Sequence, residues 1–212
     1  QIFESYLKES LIGRAQKKGI LEIKAHALRS YASDKHRKVD DTPFGGGAGM
    51  VLKIEPIFKA VGSILRNSKS QILNSKRRVI LFSTRGEHLD SKTARRLAKY
   101  DQLILICGLY EGVDERVAKY VADEEISIGD YVLSGGELPA LVLIEAVSRY
   151  LPGFLGKQES LEEIKGSYPT YTKPAIFKPK NSKQWPVPAV LLSGNHKKIQ
   201  EWRSGRKSFS GA

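Results

Sequence analysis

The chain has 212 residues, 41% of them hydrophobic, which is enough for one buried core or one core with an appendage, and it reads as a globular protein. Lys and Arg number 35 against 23 Asp and Glu, a formal charge of +12 that points to a polyanionic partner, nucleic acid first. No apolar stretch approaches a bilayer span, there is no lipidation motif, and a single cysteine, Cys107, excludes an internal disulfide, so a cytoplasmic setting without a membrane partner is expected.

Ile2, Phe3, Tyr6, Leu7, Leu11, Ile12 and Ala15 recur at three- and four-residue intervals, predicting one amphipathic helix that ends near Gly19. Gln1 opens the chain and Met50 is its only methionine, so the N-terminus is expected to be incomplete. A strand over 20–25 should follow. From His26 to Met50 periodicity vanishes in favour of polar residues and glycine, a long loop, functional or disordered, that ends in GGGAGM. Apolar runs then alternate with helical patterns: helix 56–65, strand 78–83, helix 91–100, strand 103–107, helix 114–121, strand 125–128 and helix 138–150. That alternation predicts an α/β fold with a mostly parallel sheet and helices on both faces. The Gly-rich segments then fall at strand ends, where open α/β sheets bind ligands. Beyond Leu151 prolines accumulate in LPGFLG, YPTYTKP and FKPKNSKQWPVP, which reads as a loop-rich arm with one brief helix at 195–203 and a frayed tail.

Three Gly-rich segments carry the chemistry: DDTPFGGGAGM (40–50), CGLYEGVDER (107–116) and EISIGDYVLSGGELPA (125–140). Glycine lets backbone approach a ligand that a Cβ would hold off. GGGAGM lacks the Lys-Ser/Thr ending of a phosphate loop and the strand-turn-helix setting of a dinucleotide fingerprint, so its meaning depends on the other two. In the second, Asp114 reads as a helix N-cap and Arg116 as its neighbour's ion partner, while Gly108 and Gly112 leave room for a ligand. His26, His36, His88 and His196 are scattered, so no metal site is expected; no G-x-S-x-G elbow exists, and Ser193 reads as the cap of the last helix. Tyr168, Tyr171, Phe177 and Trp185 interleave with Lys178, Lys180 and Lys183, a mixture suited to phosphate contact and base stacking, or to packing of the arm on the domain.

These segments, with SLIGRAQKKG (10–19), DKHRKVDDTPFGGGAGM (34–50), YPTYTKP (168–174) and VPAVLLSGNHKKIQEWR (187–203), resemble in order and over nearly the whole chain the bacterial tRNA (guanine-N1)-methyltransferases of the TrmD type, members of the SPOUT class. The resemblance implies a knotted methyltransferase domain over 1–156 with a trefoil knot at its C-terminal end, a flexible arm over 157–186, and over 187–212 a remnant of a truncated helical tRNA-binding domain. It implies methylation of N1 of guanosine 37 in tRNA by S-adenosylmethionine, in a homodimer whose active site lies at the interface; a vestigial tRNA-binding module is the alternative. The matching cofactor residues are Leu81, Phe82, Ser83 and Gly86; Gly108, Tyr110, Glu111 and Gly112; and Ser127, Ile128, Gly129, Asp130, Tyr131, Val132, Leu133, Gly135 and Gly136. The family's catalytic Asp and its partner Arg match Glu159 and Arg149, in a shortened segment that also offers Glu162 and Glu163. Leu109 stands where the family usually carries Arg or His, and Lys173 where it carries Arg. A magnesium requirement is not legible in the sequence.

Overall fold

The computed structural model describes residues 2–67, 75–109, 111–156, 168–180 and 182–205. The chain forms two compact units, Gln1–Leu155 and Gly156–Ala212.

Two helices open the first unit where the spacing predicts one: α1 (Ile2–Lys8) and α2 (Ser10–Lys17). The break falls at Ser10, whose φ of 54° is left-handed. Gly13 lies so close to the Lys8 carbonyl that a Cβ would collide with it. Gln16 secures the junction, its Nε2 donating to the Leu7 carbonyl at 2.6 Å and its Oε1 accepting from the Ile23 amide at 3.3 Å. Residues 20–25 form no strand. Ile20, Leu21 and Ile23 instead pack beside a cluster of Leu7, Ile12, Ala15, Leu141 and Phe154, which satisfies an apolar alternation without a sheet ladder.

The long polar stretch is more tethered than its composition suggests. It holds a 3-10 turn, Leu28–Tyr31, and β1 (Asp40–Asp41), which pairs antiparallel with β2 (Val51–Leu52). Val39 and Leu52 are buried on either side of the glycine run. Within that turn Gly45, Gly46, Gly47 and Gly49 adopt φ of 87°, 81°, 125° and 82°, a left-handed path that β-carbon-bearing residues resist.

The central elements follow the predicted alternation: α3 (Ile54–Asn67), β3 (Arg77–His88), α4 (Ser91–Leu97), β4 (Gln102–Ile106), α5 (Glu115–Tyr120), β5 (Glu124–Ser127) and α6 (Glu137–Ser148). The strands lie in the order β4-β3-β5, all parallel. Side chains of a strand alternate between faces. Val79 and Leu81 of β3 accordingly join Ile57 and Val61 of α3 and Val117 of α5, while Ile80 joins Ala94 and Leu97 of α4 and Leu143 and Val147 of α6. Both faces are thus covered by helices, and β3 reads as a continuous apolar run because neither face meets water. Two helix starts are capped by carboxylates, Asp90 accepting from the Thr93 amide at 2.7 Å and Asp114 from the Arg116 amide at 3.0 Å.

β3 runs beyond its predicted end. Phe82 and Glu87 both pair with Ile126, so Ser83 to Gly86 form an excursion after which the chain returns to the same strand. Gly86 makes the return possible: a Cβ there would lie 2.5 Å from the Glu125 carbonyl carbon and the Ile126 nitrogen.

One polar cluster ties these elements together. Glu124 Oε1 accepts from Arg78 Nε at 2.7 Å, and both its oxygens accept from the Arg96 guanidinium, at 3.1 and 2.6 Å. Burial alone would raise the Glu124 carboxyl pKa, and the Arg96 and Arg78 guanidiniums more than reverse this, leaving it below the ordinary glutamate value. A lowered folded-state pKa means that the stabilisation is complete above the unfolded value and is lost as pH falls through the folded one. Glu124→Gln is therefore expected to cost about 2 kcal/mol at neutral pH, as loss of hydrogen bonds to charged groups does. In urea unfolding the gap to wild type should narrow as pH falls below the ordinary glutamate range; a gap independent of pH would show that the carboxylate charge contributes nothing.

The second unit carries more structure than a brief helix. β6 (Ile176–Phe177) and β7 (Trp185–Pro186) form a hairpin whose Phe177 and Trp185 rings sit 5.7 Å apart, and α7 (Ala189–Leu192) precedes α8 (His196–Ser204). Asn195, not Ser193, caps α8, its Oδ1 accepting from the Lys198 amide at 3.1 Å, while the Ser193 hydroxyl donates to the Val190 carbonyl. Arg203 lies 4.7 Å over the Tyr168 ring.

Candidate functional site

Because the three strands are parallel, their carboxyl ends share one edge, and that edge opens into a cleft of 430 Å³. Leu81, Phe82 and Ser83 enter it from β3, Gly108 and Leu109 from the end of β4, and Ser127, Ile128 and Gly129 from the end of β5. This is the place where open α/β sheets take their ligands.

Backbone contacts bring the glycine segments together there. Leu109 forms an antiparallel bridge with Gly135, and the Gly136 amide donates to the Gly108 carbonyl at 2.8 Å. The Leu52 amide donates to the Gly112 carbonyl and the Glu111 amide to the Met50 carbonyl, so β2 delivers the first glycine run to the second segment. Gly49 lies against Glu111, where a Cβ would sit 2.5 Å from Cγ. At Gly136 a Cβ would meet the Cys107 Cα at 2.6 Å and the Gly108 nitrogen at 2.9 Å, so the start of α6 can approach the end of β4 only without a side chain. In the third segment the buried Ser127 hydroxyl donates to the Gly129 carbonyl at 3.0 Å, and the Tyr131 hydroxyl to the Ile128 carbonyl at 3.2 Å.

Most positions singled out from the sequence line this cleft: besides those above, Glu111 and Gly112, Tyr131, Val132 and Leu133, and Gly135 and Gly136 do so. Gly86 and Asp130 do not. Gly86 is pressed on the β5 backbone, and Asp130 faces outward, 3.0 Å from His88 Nε2. Arg149 is the C-cap of α6 and is half-buried. Tyr110 and Glu159, with Glu162 and Glu163, lie outside the described residues. Sequence reasoning missed Arg85, Glu115 and Glu125, which also line the cleft; Arg85 donates to Glu115 at 2.8 Å and lies 3.6 Å from Glu125. Glu115 and Glu125 fall within the second and third Gly-rich segments, where only the glycines and their neighbours were singled out, and Arg85 falls in no motif.

Cys107 sits under the cleft but is no nucleophile. Burial, then the nearby Glu137 carboxylate, pushes its thiol up to about 12, so it stays protonated at neutral pH. Among the described residues no group of three or more His, Cys, Asp or Glu could hold a metal ion. No described helix is long and apolar enough to cross a membrane.

A parallel sheet with helices on both faces and a glycine-lined cleft at its carboxyl edge defines a small-molecule-binding α/β protein. The profile of one family, described as tRNA (Guanine-1)-methyltransferase TrmD, matches residues 1–210. A tRNA (guanine-N(1)-)-methyltransferase of Heliobacterium modesticaldum is 49% identical over 210 residues, 96% of this chain and 75% of that protein. Its namesakes in Dehalococcoides mccartyi and Endomicrobium trichonymphae are 46% and 48% identical, over 96% and 95% of this chain and 80% and 88% of their own lengths. The chain belongs to the TrmD family of tRNA (guanine-1)-methyltransferases.

An enzyme of this family needs a methyl donor, and the cleft fits S-adenosylmethionine. Its volume lies within the range of about 300–1,000 Å³ for small-molecule sites. Gly135 and Gly136 let the third segment pack directly on the Cys107 and Gly108 backbone at the cleft floor, Leu81, Leu133 and Pro139 offer apolar wall for a purine, and three lining carboxylates, Glu111, Glu115 and Glu125, outnumber the one lining cation among the described residues, Arg85, which suits a cationic sulfonium.

Proposed function

We propose that the chain methylates N1 of guanosine 37 in tRNA, the nucleoside 3′ of the anticodon, using S-adenosylmethionine bound in the cleft. The meeting of the second and third glycine segments at the carboxyl edge of the sheet, in a member of the TrmD family, is the observation that carries this reading. When bound, the donor supplies a methyl group already activated on sulfonium, so the protein must align it with N1 and remove the N1 proton. Glu159 is the proposed base. Arg149, at the end of α6, orients that carboxylate or stabilises the guanine oxygen as charge develops on it.

The first unit is the proposed methyltransferase domain, with the trefoil knot of the SPOUT class at its C-terminal end. A homodimer in the cytoplasm is the proposed working form, and Leu138 and Val142, exposed one helical turn apart on α6, support an apolar face for a second copy. The second unit, with the Arg203–Tyr168 stack and the Lys178 and Lys180 ammoniums, is the proposed tRNA grip.

The test is calorimetric titration of S-adenosylmethionine, followed by single-turnover methylation of transcripts bearing G or A at position 37. Binding with methylation of the G transcript alone is expected. Binding with no transfer to either would overturn the assignment in favour of a vestigial module. The +12 charge further predicts that tRNA affinity falls steeply between low and physiological salt; a flat response would contradict phosphate contact.

A further inference from the structure

The excursion of β3 poses a mechanical problem. Ser83 to Gly86 have no partner in the register of either neighbouring strand, yet Ser83, Thr84 and Arg85 line the cleft. Side chains must therefore hold the shape. Ser83 Oγ accepts from the Arg85 amide at 3.1 Å, which folds the segment back on itself. The Arg85 guanidinium then reaches across, donating to Glu115 Oε2 at 2.8 Å and lying 3.6 Å from Glu125 Oε1. Glu115 opens α5 and Glu125 belongs to β5, so one cation joins three walls of the cleft. Glu125 Oε1 has no hydrogen-bond donor among the described residues, but the side chain is 26% exposed, so solvent shares with the Arg85 charge in compensating the carboxylate. Arg85 is also the one cationic side chain among the described residues that line the cleft.

We propose that Arg85 is a positioning residue for cofactor binding: its ion pairs set Ser83 and Thr84 as a preformed wall before the ligand arrives. The inference rests on the reading of the cleft as the S-adenosylmethionine site. Preorganisation of this kind acts on affinity by lowering the ordering cost of binding. The Arg85 and Glu115 side chains are 63% and 61% exposed, so the clasp contributes little to global stability and is sensitive to salt. A merely structural ion pair would show neither a selective loss of ligand affinity nor its salt signature.

Arg85→Gln keeps the length and polarity of the side chain and removes its charge. The variant should melt with the wild type yet bind S-adenosylmethionine about fivefold more weakly, the most that losing an exposed ion pair allows. KM for the donor should rise with kcat unchanged. In ligand-free protein the amides of Thr84, Arg85 and Gly86 should exchange faster with deuterium. Added salt, with no tRNA present, should weaken cofactor binding by the wild type more than by the variant, since only the wild type has the clasp to screen. The exchanged pair Arg85→Glu with Glu115→Arg should recover most of the affinity. Wild-type affinity together with wild-type exchange in Arg85→Gln would overturn the proposal. Should the wild type itself not bind S-adenosylmethionine, the functional reading fails, and the exchange rates of the ligand-free proteins still decide whether Arg85 holds the excursion.

Discussion

A Gly136→Val protein is expected to lose S-adenosylmethionine binding and about 3 kcal/mol of stability, the upper part of the range for overpacking. The reason is the identity of the atoms in the way. A β-carbon at this position meets backbone, the Cys107 Cα and the Gly108 nitrogen, and backbone at the end of a core strand cannot swing aside. The residue's own conformation, φ −81° and ψ 0°, is open to any amino acid, so the cost is one of space and not of dihedral strain. Relief requires moving the start of α6 away from β4, which breaks the hydrogen bond from Gly136 to the Gly108 carbonyl and distorts the cleft floor. Gly135→Val separates the two effects. Its β-carbon would meet the movable carboxylate end of Glu137, the Leu109 Cδ1 at 3.0 Å and the Gly108 carbonyl oxygen only at 3.3 Å, so the fold should be perturbed less while the cleft lining is displaced. Urea unfolding and calorimetry on the pair settle the matter: wild-type cofactor affinity in both proteins would mean that this segment does not form the adenosyl cradle.

Glu159→Gln is expected to reduce single-turnover methyl transfer by about 10²- to 10⁴-fold, the span over which a positioned base acts, with S-adenosylmethionine affinity unchanged. Guanine N1 carries its proton near neutrality, and an amide cannot accept it. The wild-type rate should climb as the carboxylate ionises and the variant's residual rate should lack that limb. Activity that survives in Glu159→Gln would shift the role to Glu162 or Glu163, each testable by the same substitution.

How much of this was legible in the sequence follows from what each feature depends on. β3 and β4 stand out as RVILFS and LILIC because a parallel strand covered on both faces needs apolar residues at every position. Asp114 could be placed as a cap because capping is a local bargain between a side chain and the next amides. Glycine content located the three segments, and the cleft gathers the second and third while the first abuts Glu111 beside it. What escaped depends on distant partners. Gly86 gives no local sign of the β5 backbone pressed on it, and Arg85 none that Glu115 and Glu125 await it. The split between α1 and α2 hinges on Gly13 meeting the Lys8 carbonyl, a contact invisible to periodicity. The alternation at 20–25 mimics a strand, and the β6–β7 hairpin is masked by its prolines.

The double use of Ile126 has a consequence for birth on the ribosome. Phe82 and Glu87 are translated well before the strand that both must embrace, so a nascent chain stopped short of Glu124 has nothing on which to close the loop between them. The Gly108 carbonyl likewise waits for the Gly136 amide. A partly synthesised polypeptide can therefore assemble α3, β3 and β4 from nearby pieces but has no finished nucleoside cradle, and maturation of the binding centre is deferred until the last of its glycines has emerged.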